Sequence, residues 1–199
     1  MQEARIKQKG RIFTKTFVIK LQTAKIAVFS AGLAILLATA FTVGVKTNAQ
    51  DKIHPIYGVN TDKPYVALTF DCAWEDSDLD EITEILTQNE IPATFFVTGE
   101  FAGNYPDKIK ALSESGHEIG NHSNHHPHVA SLSKSELKKD TLECSEAIKN
   151  AVGEYPKLYR APYGEYDNEM LETLQELSLP VIQWDCDSCD WKPDATVES

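Results

Sequence analysis

Histidines are concentrated in one short stretch of this 199-residue chain, where four of the six fall within seven residues (Gly120-Asn121-His122-Ser123-Asn124-His125-His126-Pro127-His128). His122 and His126 are four residues apart, a spacing at which two imidazoles can face one ion. Imidazole is a common ligand of zinc and similar metals. The alternative is a solvated, histidine-rich turn that ends at Pro127. His125 and His128 are expected to be bystanders or to support the other two.

Two further polar groups follow apolar runs. Asp71 comes directly after Tyr65-Val66-Ala67-Leu68-Thr69-Phe70, where burial of an unpaired carboxylate would be costly. It is a candidate metal ligand or general base, and the alternative is a cap for the next helix. Arg160 begins the segment Arg160-Ala161-Pro162-Tyr163-Gly164. Such a turn is ordinary by itself, but it can present backbone N–H groups to a developing oxyanion.

Aromatic and acidic residues alternate near the end of the chain, from Trp184 to Trp191. Aromatic faces pack against sugars, and carboxylates orient cations. Cys186 and Cys189 form a C-x-x-C pair in this segment, but no clear helix follows to lower a thiol pKa, so a redox role is weakly indicated. With Cys72 and Cys144 the chain has four cysteines, which allow three full pairings, and the sequence leaves the choice open.

The elements that must position these residues alternate between strand-like and helix-like segments. Strands are predicted at residues 65–70, 93–97, 117–121, 157–160 and 180–184. Helices are predicted at 78–88, at 106–115, from the Ser133/Glu136 capping box to Gly153, and at 168–177. This alternation predicts an α/β fold with a parallel sheet, either a barrel or open. The polar candidates follow strands, where sites in such folds gather, so one shared site is predicted.

The N-terminal part has the features of a membrane anchor. Residues 26–45 contain no charge and are long enough to cross a bilayer, and seven basic residues precede them against one acid. We therefore predict a cytoplasmic basic segment (1–25), a transmembrane signal-anchor (26–45), a linker (46–64) and an extracytoplasmic domain (65–199). A cleaved signal peptide is the alternative, and it would export the same domain.

Charge narrows the possible partners of the exported part. From Lys46 onward the chain carries 12 basic against 29 acidic residues. Such an acidic surface argues against nucleic acid or anionic lipid as its partner. Neutral or cationic substrates remain open.

Together the polar segments resemble the polysaccharide deacetylase family, also called the NodB-homology domain or carbohydrate esterase family 4. The resemblance covers about residues 57–199, and its motifs occur in the family's order. They are Thr69-Phe70-Asp71, Gly120-Asn121-His122-Ser123-Asn124-His125-His126, Arg160-Ala161-Pro162-Tyr163-Gly164 and Asp187-Ser188-Cys189-Asp190-Trp191. The resemblance implies a distorted (β/α) barrel, here incomplete at the C-terminus and preceded by the transmembrane helix. It also implies a metal-dependent hydrolase that cleaves the C–N bond of N-acetyl groups on a polysaccharide such as peptidoglycan or a chitin-like glycan.

The resemblance also implies roles for single residues. His122 and His126 would hold a divalent metal, which in the family is usually zinc, and Asp71 would be the base that activates water. The backbone N–H of Tyr163 would hold the oxyanion, and Arg160 would orient Asp71. Asp190 would support the catalytic acid, and Trp191 would shape the substrate pocket around the acetyl methyl group.

Two departures from the family pattern affect these expectations. Cys72 stands where the family has a second Asp as third metal ligand, so Cys72 is a tentative metal ligand. The Leu-x-His motif that supplies the family's general acid is absent, since no histidine follows His128. We expect the sequence to be a fragment of a longer protein, one that without this motif is inactive by itself. The alternatives are a non-catalytic glycan-binding wall protein and a redox protein that uses Cys186 and Cys189.

Overall fold

The computed structural model describes residues 52–192 and residue 195. The predicted basic segment (1–25) and signal-anchor (26–45) lie outside these residues, so both stay predictions. Within residues 52–192, no helix combines the length and the apolar character needed to span a bilayer.

A parallel sheet organises the described part of the chain. Its strands are β1 (Thr69–Cys72), β2 (Thr94–Val97) and β3 (Glu118–Asn121), in the order β1-β2-β3. The register pairs Asp71 with Phe96 and Phe96 with Gly120. Adjacent strands are therefore aligned so that their carboxyl ends meet at one edge.

Single-residue parallel bridges extend this sheet. Asn121 pairs with Tyr159, Tyr159 with Val181, and Ile182 with Ile56. The strands predicted at 157–160 and 180–184 are thus reduced to bridges, because prolines at 156, 162 and 180 interrupt the run of backbone donors. The first predicted strand is shifted from 65–70 to Thr69–Cys72, and Ile56, inside the predicted linker, takes part in the sheet.

Five α-helices connect the strands in the described part of the chain: α1 (Leu79–Gln88), α2 (Gly99–Asn104), α3 (Pro106–Glu114), α4 (Lys134–Val152) and α5 (Asn168–Glu176). The Ser133/Glu136 capping box begins α4 as predicted, and Gly153 ends it with a φ of 90°. The short helix α2 was not predicted. It begins where the Thr98 side chain accepts the N–H of Phe101, and six residues are too few for a periodic pattern.

Successive side chains of β2 face opposite sides of the sheet, with the apolar core on one side and the candidate site on the other. Phe95 and Val97 pack into an apolar cluster with residues of α3 and α4, such as Ile109 and Ile148. Phe96, between them, points to the opposite face of the sheet, as strand geometry requires. An added side chain at Gly120 would collide with the Phe96 ring, so the glycine makes room for it there. Burying each large apolar side chain fully stabilises the folded state by about 1.5–3 kcal/mol relative to leaving it exposed.

Candidate active site

Asp71 and Arg160 form an ion pair at the carboxyl ends of the strands. Arg160 Nη1 donates to Asp71 Oδ1 at 2.8 Å, and Arg160 Nε donates to the Ile182 carbonyl at 3.4 Å. The guanidinium lies 4.2 Å from the centroid of the Phe96 ring, and the residue is only 3% exposed. Such a charge-assisted contact fixes the direction of the carboxylate, while Asp71, with a side chain 34% exposed, still reaches solvent.

His122 is buried beside this pair. Its Nδ1 lies 2.9 Å from the Arg160 carbonyl oxygen, which can only accept, so Nδ1 carries the hydrogen. The other nitrogen, Nε2, therefore has a free electron pair, and it lies 3.7 Å from Asp71 Oδ2. Burial lowers the pKa of His122, with Asp71 opposing the shift, so the imidazole is neutral near pH 7. This is the form that binds metals.

His126 lies next to His122, with 5.0 Å between the ring centroids. Its Nδ1 is buried and has no hydrogen-bond partner among the described residues. Burial lowers the pKa of His126, and the neighbouring His122 lowers it further. The site therefore holds two neutral imidazoles with unused acceptor nitrogens.

The loop between the two histidines is held by Asn121, which is fully buried at the end of β3. Its Oδ1 accepts the N–H of Ser123 at 2.8 Å, and its Nδ2 donates to α4, at the Thr141 carbonyl and the Ser145 hydroxyl. Ser123 Oγ in turn accepts the N–H of His126 at 3.0 Å. These bonds hold Ser123 and His126 at φ values of 66° and 56°, a costly conformation that the surroundings must impose.

Tyr163 closes one side of the site. Its φ is 59°, also in the left-handed region, and its ring centroid lies 4.6 Å from that of His126. Gly164 follows with a φ of 67°, and a side chain there would strike those of Gln183 and Trp184. The turn predicted at Pro162 and Gly164 is thus present and places Tyr163 beside the histidines.

Three of the predicted site residues lie apart from this group. Cys72 follows Asp71 in the same strand and so points to the other face, where it packs against the apolar cluster. Burial raises the pKa of its thiol to about 12, so it is protonated at neutral pH. In this arrangement Cys72 does not lie on the side of β1 that faces the histidines, as the period of two could have shown, and its assignment as a metal ligand stays a prediction.

Asp190 and Trp191 are exposed, Trp191 by 71%. The Lys192 ammonium lies 5.3 Å from the Trp191 ring centroid, and no contact of either residue with Asp71 or the histidines is found in the described part of the chain. Their predicted roles stay predictions. All four cysteines are free thiols in the structure.

Sequence reasoning missed Trp74 and Glu165, and it left open whether His128 is a bystander or a supporting residue. Trp74 contacts His126, and His128 stacks on Tyr163 while pairing with Glu165. Glu165 is 37 residues from His128 in sequence, so no local spacing indicated it. In the sequence, Trp74 could be recognised only as an aromatic residue that follows soon after Asp71.

The donor set tests whether a metal ion fits here. Two neutral imidazoles are suitable ligands for zinc, and the carboxylate of Asp71, 3.7 Å from His122 Nε2, favours a cation beside them. Within residues 52–192, no three His, Cys, Asp or Glu side chains form a complete ligand group by themselves. The residues fit a metal site that is completed by water.

The described part of the chain is thus a parallel α/β protein with a polar site at the carboxyl edge of its sheet. The site contains a carboxylate, a guanidinium and two neutral imidazoles, which are groups typical of a hydrolase. The polysaccharide deacetylase family matches this chain over residues 58–182, and the chain belongs to that family.

Known relatives are consistent with this membership. The chain is 35% identical over 130 residues to the peptidoglycan-N-acetylglucosamine deacetylase of Bacillus cereus, covering 65% of this chain and 47% of the relative. It is 34% identical over 136 residues to a chitooligosaccharide deacetylase of Bradyrhizobium, covering 68% and 62%. A solved CE4 family pseudoenzyme from Bacillus anthracis superposes with a TM-score of 0.67 at 29% identity, covering 69% and 49%. The NodB-type α/β fold is thereby confirmed, and the chain spans about half the length of such relatives.

Proposed function

We propose that this protein is a metal-dependent hydrolase that removes N-acetyl groups from a cell-wall polysaccharide, either peptidoglycan or a chitin-like glycan. The observation that carries the proposal is the Asp71 carboxylate, which is fixed by Arg160 at 2.8 Å and lies 3.7 Å from the unprotonated nitrogen of His122. The relatives named as peptidoglycan and chitooligosaccharide deacetylases support the substrate class.

His122 and His126 are the proposed ligands of a divalent metal, with zinc the best candidate. When bound, such an ion lowers the pKa of water and polarises a carbonyl oxygen. The remaining ligands would be water molecules, because Cys72 faces the apolar cluster.

Each of the site residues then has its own role in amide hydrolysis. Asp71 accepts a proton from the attacking water, and Arg160 holds the carboxylate in position. The Tyr163 N–H donates to the carbonyl oxygen as negative charge develops there. The water oxygen bonds to the acetyl carbon, the C–N bond breaks, and the amine nitrogen takes up a proton, giving acetate and a free amino sugar. Asp190 is proposed to support the group that donates this proton, and Trp191 is proposed to bind the acetyl methyl group.

We further propose that the protein is a single-pass membrane protein with its deacetylase domain outside the cytoplasm. Residues 26–45 and the seven basic residues that precede them support this orientation. A cell-wall substrate lies on the same side of the membrane.

Acetate release tests the function directly. The chain, joined to the family's Leu-x-His segment, is incubated with chitin oligomers or peptidoglycan and with zinc, cobalt or nickel in turn. Release by the wild type and a loss of about 100-fold or more in Asp71→Asn, which removes the base but keeps the shape, are expected. Asp80→Asn, at an exposed position of α1, is the matched control. A lack of acetate under every condition contradicts the proposal.

A non-catalytic glycan-binding protein is the second candidate. Two observations favour it: Cys72 stands on the apolar side of β1, and a similar solved structure is a CE4 family pseudoenzyme. This candidate predicts binding of chitin oligomers without acetate release and with unchanged affinity in Asp71→Asn. Deacetylase activity in the wild type excludes it.

A further inference from the structure

The two site histidines are oriented by different means. The imidazole of His122 is held by its hydrogen bond to the Arg160 carbonyl. The imidazole of His126 has no hydrogen bond at its buried Nδ1 among the described residues. A histidine that binds a metal normally needs a partner that fixes its ring, and losing such a partner weakens metal binding by roughly 10–100-fold.

Aromatic rings surround His126 instead. The Trp74 ring lies 5.2 Å away at an interplanar angle of 58°, and the Tyr163 ring lies 4.6 Å away at 73°. The Tyr163 contact is edge-to-face and the Trp74 contact is tilted. Aromatic contacts at such distances are attractive, and the edge-to-face arrangement is directional. Trp74 and Tyr163 are 66% and 54% exposed, so burial in the core does not hold either ring in place.

His128 supplies the missing support for Tyr163. The two rings are stacked, with centroids 4.3 Å apart and an interplanar angle of 14°. His128 Nδ1 pairs with Glu165 Oε1 at 3.0 Å, which fixes the outer ring. The contacts therefore run in an unbroken line from the Glu165 carboxylate through His128 and Tyr163 to His126, with Trp74 on the far end.

We propose that Trp74, Tyr163, His128 and Glu165 form an aromatic clamp that orients the His126 ring for metal binding. The inference rests on the proposed metal site. The four clamp residues are positioning residues, since they act on the metal through His126, and the clamp replaces the hydrogen bond that His122 has.

Zinc affinity tests the clamp without relying on catalysis. The full chain carries Cys186→Ser and Cys189→Ser, because the exposed C-x-x-C pair could bind zinc by itself. In this background His128→Ala removes the stacked ring, His128→Phe keeps a ring, and Trp74→Ala removes the other end of the clamp. His125→Ala is the matched control, since His125 is also exposed and pairs with a carboxylate, that of Glu100 at 2.8 Å.

Calorimetric titration with zinc should show an affinity about 10-fold weaker in His128→Ala and in Trp74→Ala. His128→Phe should recover most of the affinity, and His125→Ala should remain within twofold of the parent. Thermal unfolding of the metal-free proteins shows whether each variant is folded, and a folded Trp74→Ala protein keeps the test open should His128→Ala fail to fold.

Two results overturn the inference. Folded His128→Ala and Trp74→Ala proteins that bind zinc as tightly as the parent show that the rings do not orient His126. An equal loss in His125→Ala shows that the effect belongs to the loop as a whole. In both cases the parent still binds zinc, and the proposed function stands; a parent that binds no divalent ion contradicts both proposals at once.

Discussion

A buried histidine flanks the strand β3 at each end, and the two histidines have different surroundings. At the amino end, His117 is 6% exposed, its Nδ1 accepts the Ala93 N–H at 3.2 Å, and its ring packs edge-on against Phe95. At the carboxyl end, His122 is 1% exposed and lies beside a carboxylate, a guanidinium and a second imidazole.

Burial lowers the pKa of both imidazoles, so neither burial nor a shifted pKa distinguishes them. The difference lies in the groups that converge. The carboxyl ends of parallel strands deliver Asp71, His122 and Arg160 to one place, whereas the amino end delivers a backbone N–H and an apolar ring. A buried histidine therefore indicates a site only when other functional groups meet it.

The largest expected effect comes from exchanging each histidine for glutamine. His122→Gln removes a proposed ligand and should weaken zinc binding by more than about 100-fold, beyond the effect of losing an outer partner. His117→Gln should leave zinc affinity within twofold. Calorimetric titration of both variants measures the contrast, and equal losses would remove the functional distinction between the two ends of β3.

A smaller loss is expected when the guanidinium at the carboxyl end is changed. Arg160→Lys keeps the charge but loses the planar fork that fixes Asp71. A misplaced base should lower kcat for acetate release by about 100-fold. Lys108→Arg, which alters a cation paired with Asp76 and Asp80 away from the site, serves as the control. An unchanged kcat in Arg160→Lys would show that Asp71 needs no orientation.

Stability should fall when the anchor of the histidine loop is removed. Asn121→Ala leaves the buried Ser123 N–H without its partner and removes two hydrogen bonds to α4, and we expect a loss of about 3 kcal/mol in the free energy of unfolding. Urea unfolding measures it. Asn150→Ala, at an exposed position of α4, should change stability by no more than about 0.5 kcal/mol. Similar losses in both variants would mean that Asn121 is no special anchor.

The smallest expected effect is the pH dependence at the amino end. The pKa of His117 is lowered by burial from the ordinary 6.5, so the unfolded chain takes up a proton more readily than the folded one. Stability contributed by the neutral ring is therefore lost as the pH falls below 6.5 towards the folded pKa. His117→Gln should show a shallower decline between pH 7.5 and 5.5 in urea midpoints, and a decline as steep as in the wild type contradicts this account.

Local signals gave α1, α3, α4 and α5 accurately but missed the six-residue helix α2. The capping box and Gly153 marked both ends of α4, and the periodic apolar residues of α1 and α5 placed those helices to within about one residue. Strand lengths were less accurate, since pairing depends on partners far away in sequence. Tyr159 and Val181 pair for one residue only, and no local pattern determines where such pairing stops.

The site residues also divide into those that local sequence predicted and those that depend on distant parts of the chain. Asp71, His122, His126 and Arg160 could be predicted because each follows a strand and belongs to a motif of the family. The aromatic contacts of Trp74 and the His128–Glu165 pair could not, because they join side chains whose distance depends on the turns between them. The side of β1 that Cys72 occupies became certain only with the packing of the apolar cluster.

Composition, periodicity and motifs were enough to predict the order of most helices and strands, the family and the residues that could take part in catalysis. Which of those residues meet depends on the packing of the whole domain. That Arg160 reaches Asp71 across 89 positions, while the adjacent Cys72 is turned away, follows from strand register and pleat, which place distant residues together and neighbouring ones on opposite faces.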